Sequence, residues 1–174
     1  MPLKKQDLVV ALKLLVLDGR GESWTFSRLS EALGLSPSEL HGCVRRLIEA
    51  RLVRSYDRKV QREALTEFMI HGAKYCFPAR TGSMTRGLPT SYAAPPLRQH
   101  FDPGKEPVPV WPDKTGSVRG IELAPLYRTV PQAAAKDLEL YELLALFDAI
   151  RSGNAREKAA ASEQLQRRVL VGSH

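Results

Sequence analysis

Residues 36–53 read Ser36-Pro37-Ser38-Glu39-Leu40-His41-Gly42-Cys43-Val44-Arg45-Arg46-Leu47-Ile48-Glu49-Ala50-Arg51-Leu52-Val53. Ser36 can cap a helix, Pro37 suits a first helical position where no amide hydrogen is needed, and Glu39 can reach back to complete a capping box. From there Leu40, Cys43, Val44, Leu47 and Ile48 share one stripe at helical spacing, so a helix to about Ala50 buries that stripe. With about 100° between successive residues, the opposite arc holds Ser38, Gly42, Arg45 and Glu49, with His41 and Arg46 on its flanks. Two arginines beside a small-residue gap are expected to face outward. Arg51 to Ser55 then alternates charged and apolar side chains as a half-buried strand does.

Upstream, Trp24-Thr25-Phe26 leads into a short helix from Ser27 to Leu33, with Phe26, Leu29 and Leu33 on one face, and Gly34 suits a left-handed cap. Before that, Lys5 to Asp18 places Leu8, Leu12 and Leu15 on one stripe beside Val9 and Val16, and Gly19 and Gly21 stop the helix. The run from Phe26-Ser27-Arg28-Leu29 through Leu35-Ser36-Pro37-Ser38, continued by Val44-Arg45-Arg46-Leu47-Ile48-Glu49-Ala50-Arg51-Leu52-Val53, resembles the winged helix-turn-helix of MarR-like bacterial repressors over roughly residues 5 to 60. The resemblance implies a positioning helix, a turn, a recognition helix at about 37–50 for the major groove, and a first wing strand.

The middle of the chain departs from that pattern. Val60 to His71 predicts another helix ended by Gly72, with Leu65, Phe68 and Met69 spaced for burial. Lys74 to Phe77 then reads as a strand, Thr81-Gly82-Ser83-Met84 as a turn and Thr85 to Leu88 as the return, so a displaced wing is expected at Gly82. The stretch from His71 to Thr90 is loosely similar to winged-helix antitoxins and autorepressors of toxin–antitoxin operons. Gly82 to Gly87 fails as a phosphate loop, because Leu88 and Pro89 stand where the lysine and hydroxyl residue belong. Pro95-Pro96 and Pro107-Val108-Pro109 mark an extended strap, with one more strand expected at Val118 to Leu123. A long helix from Thr129 or Val130 to about Arg151 follows, too broadly apolar for a surface helix, and Asn154 caps a last helix to about Val169.

The expected fold is mainly α with a small β hairpin or wing (α+β). It divides into a winged helix-turn-helix at 1–92, a proline-rich strap at 93–128 and a helical hairpin at 129–171. The chain has 174 residues, a net charge of +7 and two cysteines. All of the excess charge lies before residue 129, and seven Lys/Arg face two acids between His41 and Arg62; such a field attracts polyanions. No apolar run approaches a membrane span and no signal-peptide pattern opens the chain, so a cytosolic protein is expected. The usual hydrolytic, metal and redox signatures are absent, so no enzyme, cofactor or metal is expected.

The residues point to a sequence-specific double-stranded DNA-binding regulator, expected to repress and to act as a homodimer. Arg45 and Arg46 are the leading candidates for base or phosphate contact, Ser38 and His41 for polar readout, and Gly42 for close approach. Arg28, Arg54, Arg58, Lys59, Arg80 and Arg86 are expected on phosphates. The neutral helical hairpin, through Leu140, Leu143, Leu144, Phe147 and Ile150, is the expected dimer or partner interface. The other reading is an antitoxin or adaptor that binds a partner protein such as a toxin.

Overall fold

The computed structural model describes residues 2–171. Helix α1 (Lys5–Gly19) is buried on nearly every side from Asp7 to Leu17, because α3 and a long C-terminal helix flank it. Thr25 caps α2 (Phe26–Leu33) by accepting from the Arg28 amide, and Gly34 closes it at φ +68°, a conformation that costs glycine little. Ser36 and Glu39 form the anticipated capping box of α3 (Pro37–Glu49), with Pro37 in the first turn.

The wing is smaller and earlier than expected. Val53 and Val60 form an isolated antiparallel bridge, and the Arg54 amide donates to the Lys59 carbonyl across the turn. The hairpin thus closes directly after α3. The chain then continues helically from α4 (Arg62–Glu67) through a π-helical stretch (Phe68–Gly72) into α5 (Ala73–Cys76). Gly72 does not end the helix, and Lys74 to Phe77 is not a strand. The wider π turn lets the helix run on while Met69, Ala73 and Phe77 stay buried.

No hairpin turns at Gly82. Thr81–Pro89 is one strand, β1, antiparallel both to β2 (Pro109–Pro112) and to β3 (Val118–Leu123), while β2 and β3 run parallel, closing a three-stranded sheet. The crossings are tight: a Cβ on Gly87 would lie 1.9 Å from the Trp111 carbonyl oxygen. Strand β3 forms where the sequence predicts it. The segment preceding β2 contains a 3-10 turn (Ser91–Ala93) and hydrogen-bonded turns, so it is not uniformly extended.

The predicted helix from 129 to 151 is two helices. Asp137 is extended, at φ −148°, and separates α6 (Val130–Lys136) from α7 (Leu138–Ser152). Its carboxylate accepts from the Leu140 amide while binding Lys13 at 2.5 Å and Arg20 at 2.7 Å. This anchorage to α1 fixes the break. Helix α8 (Ala155–Gln166) begins at the Asn154–Glu157 capping box and packs on α7.

One apolar core spans the described residues, joining α1–α5 to α6–α8 and to Trp111 of β2. The proposed interface residues Leu140, Leu143, Leu144, Phe147 and Ile150 are all interior, at 0–5% exposure. They are covered by α1, α6, α8 and the 3-10 turn of the same chain and are not offered to a second molecule. A buried polar knot holds this half together. Asp148, 1% exposed, accepts from Thr90 Oγ1 (2.6 Å), Trp111 Nε1 (2.7 Å) and Arg151 Nε (2.8 Å). Arg151 also donates to the carbonyls of Phe77 and Ala124. Every strongly polar atom of the knot thereby has a partner, as its burial requires.

Candidate nucleic-acid interface

Helix α3 owes its orientation to a buried ion pair. Asp7, 0% exposed, stands at the third position of α1, where its carboxylate accepts from the Lys4 amide. It also receives a bidentate pair from Arg46, with Nε and Nη2 each at 2.8 Å. Arg46 is only 8% exposed. Its assignment as a DNA contact is therefore corrected: the flank it occupies is closed by the start of α1, and the guanidinium locks α3 to α1. The Asp7 hydrogen bonds hold the Arg46 pKa above its ordinary value. Gly42 serves the same lock, because a Cβ there would sit 3.2 Å from Arg46 Nη1. Cys43, beneath the guanidinium, is pushed up to about 12 by burial and stays a thiol.

With Arg46 withdrawn, Ser38, His41 and Arg45 remain exposed on α3, with Gly42 half-buried between them. Arg45 has no ion-pair partner among the described residues. The His41 ring stacks on Phe26 at 3.7 Å between centroids and 21° between planes. Arg58, at φ +58° in the wing turn, places its guanidinium 5.5 Å from the Phe26 ring and 5.8 Å from Trp24. Phe26 thus ties α3, the start of α2 and the wing into one unit. Periodicity assigned Phe26 to the core and missed this bridging position, which depends on the loop geometry around it.

The other proposed cations differ in availability. Arg28 is exposed at the start of α2. Arg54 makes a bidentate pair with Asp57 (3.1 and 2.7 Å), and that hydrogen bonding holds Asp57 below the usual carboxylate range. Lys59 lies 3.4 Å from Asp18. The wing tip itself is Tyr56, 80% exposed, with Arg54 over its ring. Arg80 and Arg86 do not flank a wing turn. Arg80 immediately precedes β1 and Arg86 lies within it, so both are outside the helix-turn-helix.

A residue outside the helix-turn-helix joins it at the start of α3. Tyr127 donates from its hydroxyl to Glu39 at 3.4 Å, and Arg128 lies 4.0 Å from the same carboxylate, with 73% of its side chain exposed. Hydrogen bonds from Ser36 hold Glu39 below the ordinary carboxylate range. Arg128 therefore adds a cation beside the N-terminal turn of α3, and no sequence pattern links residue 128 to residue 39. His71 and Cys76 lie on the helical stretch after the wing and His100 and Asp102 before β2, and no group of three potential ligands gathers among the described residues.

Residues 9–56 match the model of the IclR helix-turn-helix domain. The match begins inside α1, covers α2 and α3 and ends in the wing turn at Tyr56. It concerns a different helix-turn-helix family from the MarR-like one that the sequence resembles. The chain matches no curated protein and no solved structure. No helix among the described residues is long and apolar enough to cross a membrane. The first third of the chain is a helix-turn-helix domain of the kind DNA-binding regulators carry.

Proposed function

We propose that this protein is a sequence-specific double-stranded DNA-binding transcriptional regulator that reads the major groove with α3. The observation that carries this reading is the division of labour on that helix. Arg46 fixes it to α1, which leaves Ser38, His41 and Arg45 pointing out from a braced scaffold. Arg45 is the candidate for bidentate guanine contact, and Ser38 and His41 for polar readout. Arg28, Arg58 and Arg128, with the paired Arg54 and Lys59 of the wing, surround the helix and suit phosphates, which set register without reading sequence.

Repression fits this shape by steric exclusion at a promoter. Regulators of this kind commonly bind two half-sites as two-fold dimers; a second copy here would be held by a surface other than Leu140 to Ile150, which the chain covers itself. The same covering removes the broad apolar face that would favour an antitoxin or adaptor. The test is fluorescence anisotropy with a duplex from the region upstream of the protein's own gene, against a scrambled duplex, at two salt concentrations. Selective, salt-sensitive binding is expected. Equal weak binding to both duplexes would contradict sequence-specific regulation.

A further inference from the structure

Arg86 of β1 and Arg119 of β3 are direct cross-strand partners in the antiparallel register. Side chains that stand opposite one another in such a pair share a face and lie about 5 Å apart at Cβ, so two like charges there repel. Both residues are exposed, and neither has a carboxylate partner among the described residues. The acid nearest in the topology is Asp113, whose amide donates to the Arg86 carbonyl. Its own carboxylate is engaged by the amide and hydroxyl of Thr115 at 3.0 and 2.9 Å. Lys114, exposed on the same connection, adds a third cation. Glu122, the other acid of the sheet, lies three residues along β3 and faces Gly82 at the opposite end. The register thus places two exposed arginine side chains on one face of the sheet without a protein carboxylate paired to either, an arrangement that an external anion stabilises.

We propose that Arg86 and Arg119 form a second phosphate-contact surface, which grips the backbone of the DNA flanking the segment read by α3. This rests on the DNA reading of α3. The chain path makes a shared duplex feasible. Arg80 accepts from the Ala124 amide, and Tyr127, three residues further, touches Glu39 at the start of α3. Chain reach therefore keeps the arginine pair within roughly 50 Å of Glu39, on the order of one and a half turns of duplex. A three-stranded sheet joined to the helical core by the Asp148 knot gives the pair a rigid mount. The contact is charge-based, so it adds affinity without selecting sequence.

The experiment compares wild type, Arg86→Ala/Arg119→Ala, Arg86→Lys/Arg119→Lys and Arg45→Ala on 40-base-pair duplexes, one from the protein's own upstream region and one scrambled. Affinity is measured at several salt concentrations. Removing two phosphate contacts should make the slope of log affinity against log salt shallower by about 1.8. Between about 50 and 200 mM salt, wild type should then lose about tenfold more affinity than the double alanine variant. The loss should be equal on both duplexes, and the lysine variant should keep the wild-type slope, since phosphate contact needs charge and not a planar fork. Urea midpoints no lower than that of wild type would show that the sheet is intact. A wild-type slope in the double alanine variant overturns the proposal even if Arg45→Ala still abolishes selectivity. A lowered slope on single-stranded RNA of the same length, but not on duplex DNA, also overturns it and gives the pair to RNA. Absence of any salt-dependent duplex binding by wild type removes the α3 reading itself, a separate outcome.

Discussion

Helices α3 and α7 both carry an apolar face, a single stripe on α3 and a much broader one on α7, and they end in opposite settings. Helix α3 buries one stripe and keeps Ser38, His41 and Arg45 in solvent, whereas α7 is buried at every position from Leu140 to Ile150 except Glu142. The number of neighbours decides the difference. Helix α3 lies at the edge of the core against α1 and α2, while α7 is contacted by α1, α6, α8, the 3-10 turn and the helical stretch after the wing. The breadth of an apolar face thus reports how many elements surround a helix and does not say whether they belong to the same molecule. An outward polar face on a helix anchored by a buried ion pair is where contact with another molecule can occur.

The largest effects should come from attacking α7. Phe147→Ala should cost about 3–5 kcal/mol by emptying the centre of the core. Urea unfolding of that variant at two protein concentrations checks its setting: the cost should not depend on concentration, whereas a face shared with a second copy would make it do so. Asp148→Ala should cost a similar amount, about 3–5 kcal/mol, because Thr90, Trp111 and Arg151 lose a common buried acceptor. On the other side of the comparison, Arg46→Ala should also cost about 3–5 kcal/mol by leaving the Asp7 carboxylate buried without its partner. Arg45→Ala, one residue away, should stay within about 0.5 kcal/mol of wild-type stability. Equal stability costs at 45 and 46 would break the assignment of one arginine to the scaffold and the other to solvent.

Acid should weaken the joint between the two helical groups. Burial alone would raise the Asp137 pKa, but hydrogen bonds from Lys13 and Arg20 outweigh it and leave the carboxyl below its ordinary value. A lowered folded-state pKa means that the Asp137 contribution is complete above the ordinary aspartate range and is lost as the pH falls through the folded-state value. Asp137→Asn should therefore lower stability at neutral pH and flatten the acid limb of a stability–pH profile, measured by urea midpoints from pH 7 to pH 3. An unchanged acid limb would mean that other carboxylates carry the acid response. The smallest expected signal is chemical. Cys76 is exposed and Cys43 is buried, so a thiol reagent at neutral pH should titrate one cysteine in the folded protein and two in denaturant.

The helix-turn-helix was legible because its determinants are local. Ser36, Pro37 and Glu39 mark the start of α3, Gly34 marks the preceding turn, and the stripe from Leu40 to Leu47 marks the inner face. Arg46 shows the limit of that reading. Its angular position on the flank of the helix was correct, but its direction depended on Asp7, far away in sequence, in a helix that is buried nearly all round. A charged residue in such a helix must find a partner, and that signal was present in the apolar run from Leu8 to Leu12 that follows Asp7. The Gly82 wing was misread for a related reason. A glycine inside a β-rich stretch suits a turn, but here glycines mark where strands cross closely, and the pairing of β1 with residues 21 to 42 positions later leaves no local trace. The break at Asp137 likewise depends on Lys13 and Arg20. Each of these misreadings turns on a non-local contact.

The most direct test of α3 as the reading element is the binding of wild type and Arg45→Ala to a panel of upstream duplexes, each carrying one base-pair change. If Arg45 reads a guanine, Arg45→Ala should lose about 1–3 kcal/mol on the parent duplex and should discriminate less at one position while keeping its preferences elsewhere. A variant that binds every duplex with wild-type affinity and the wild-type pattern of preferences would contradict the assignment of helix α3 as the element that reads DNA through Arg45.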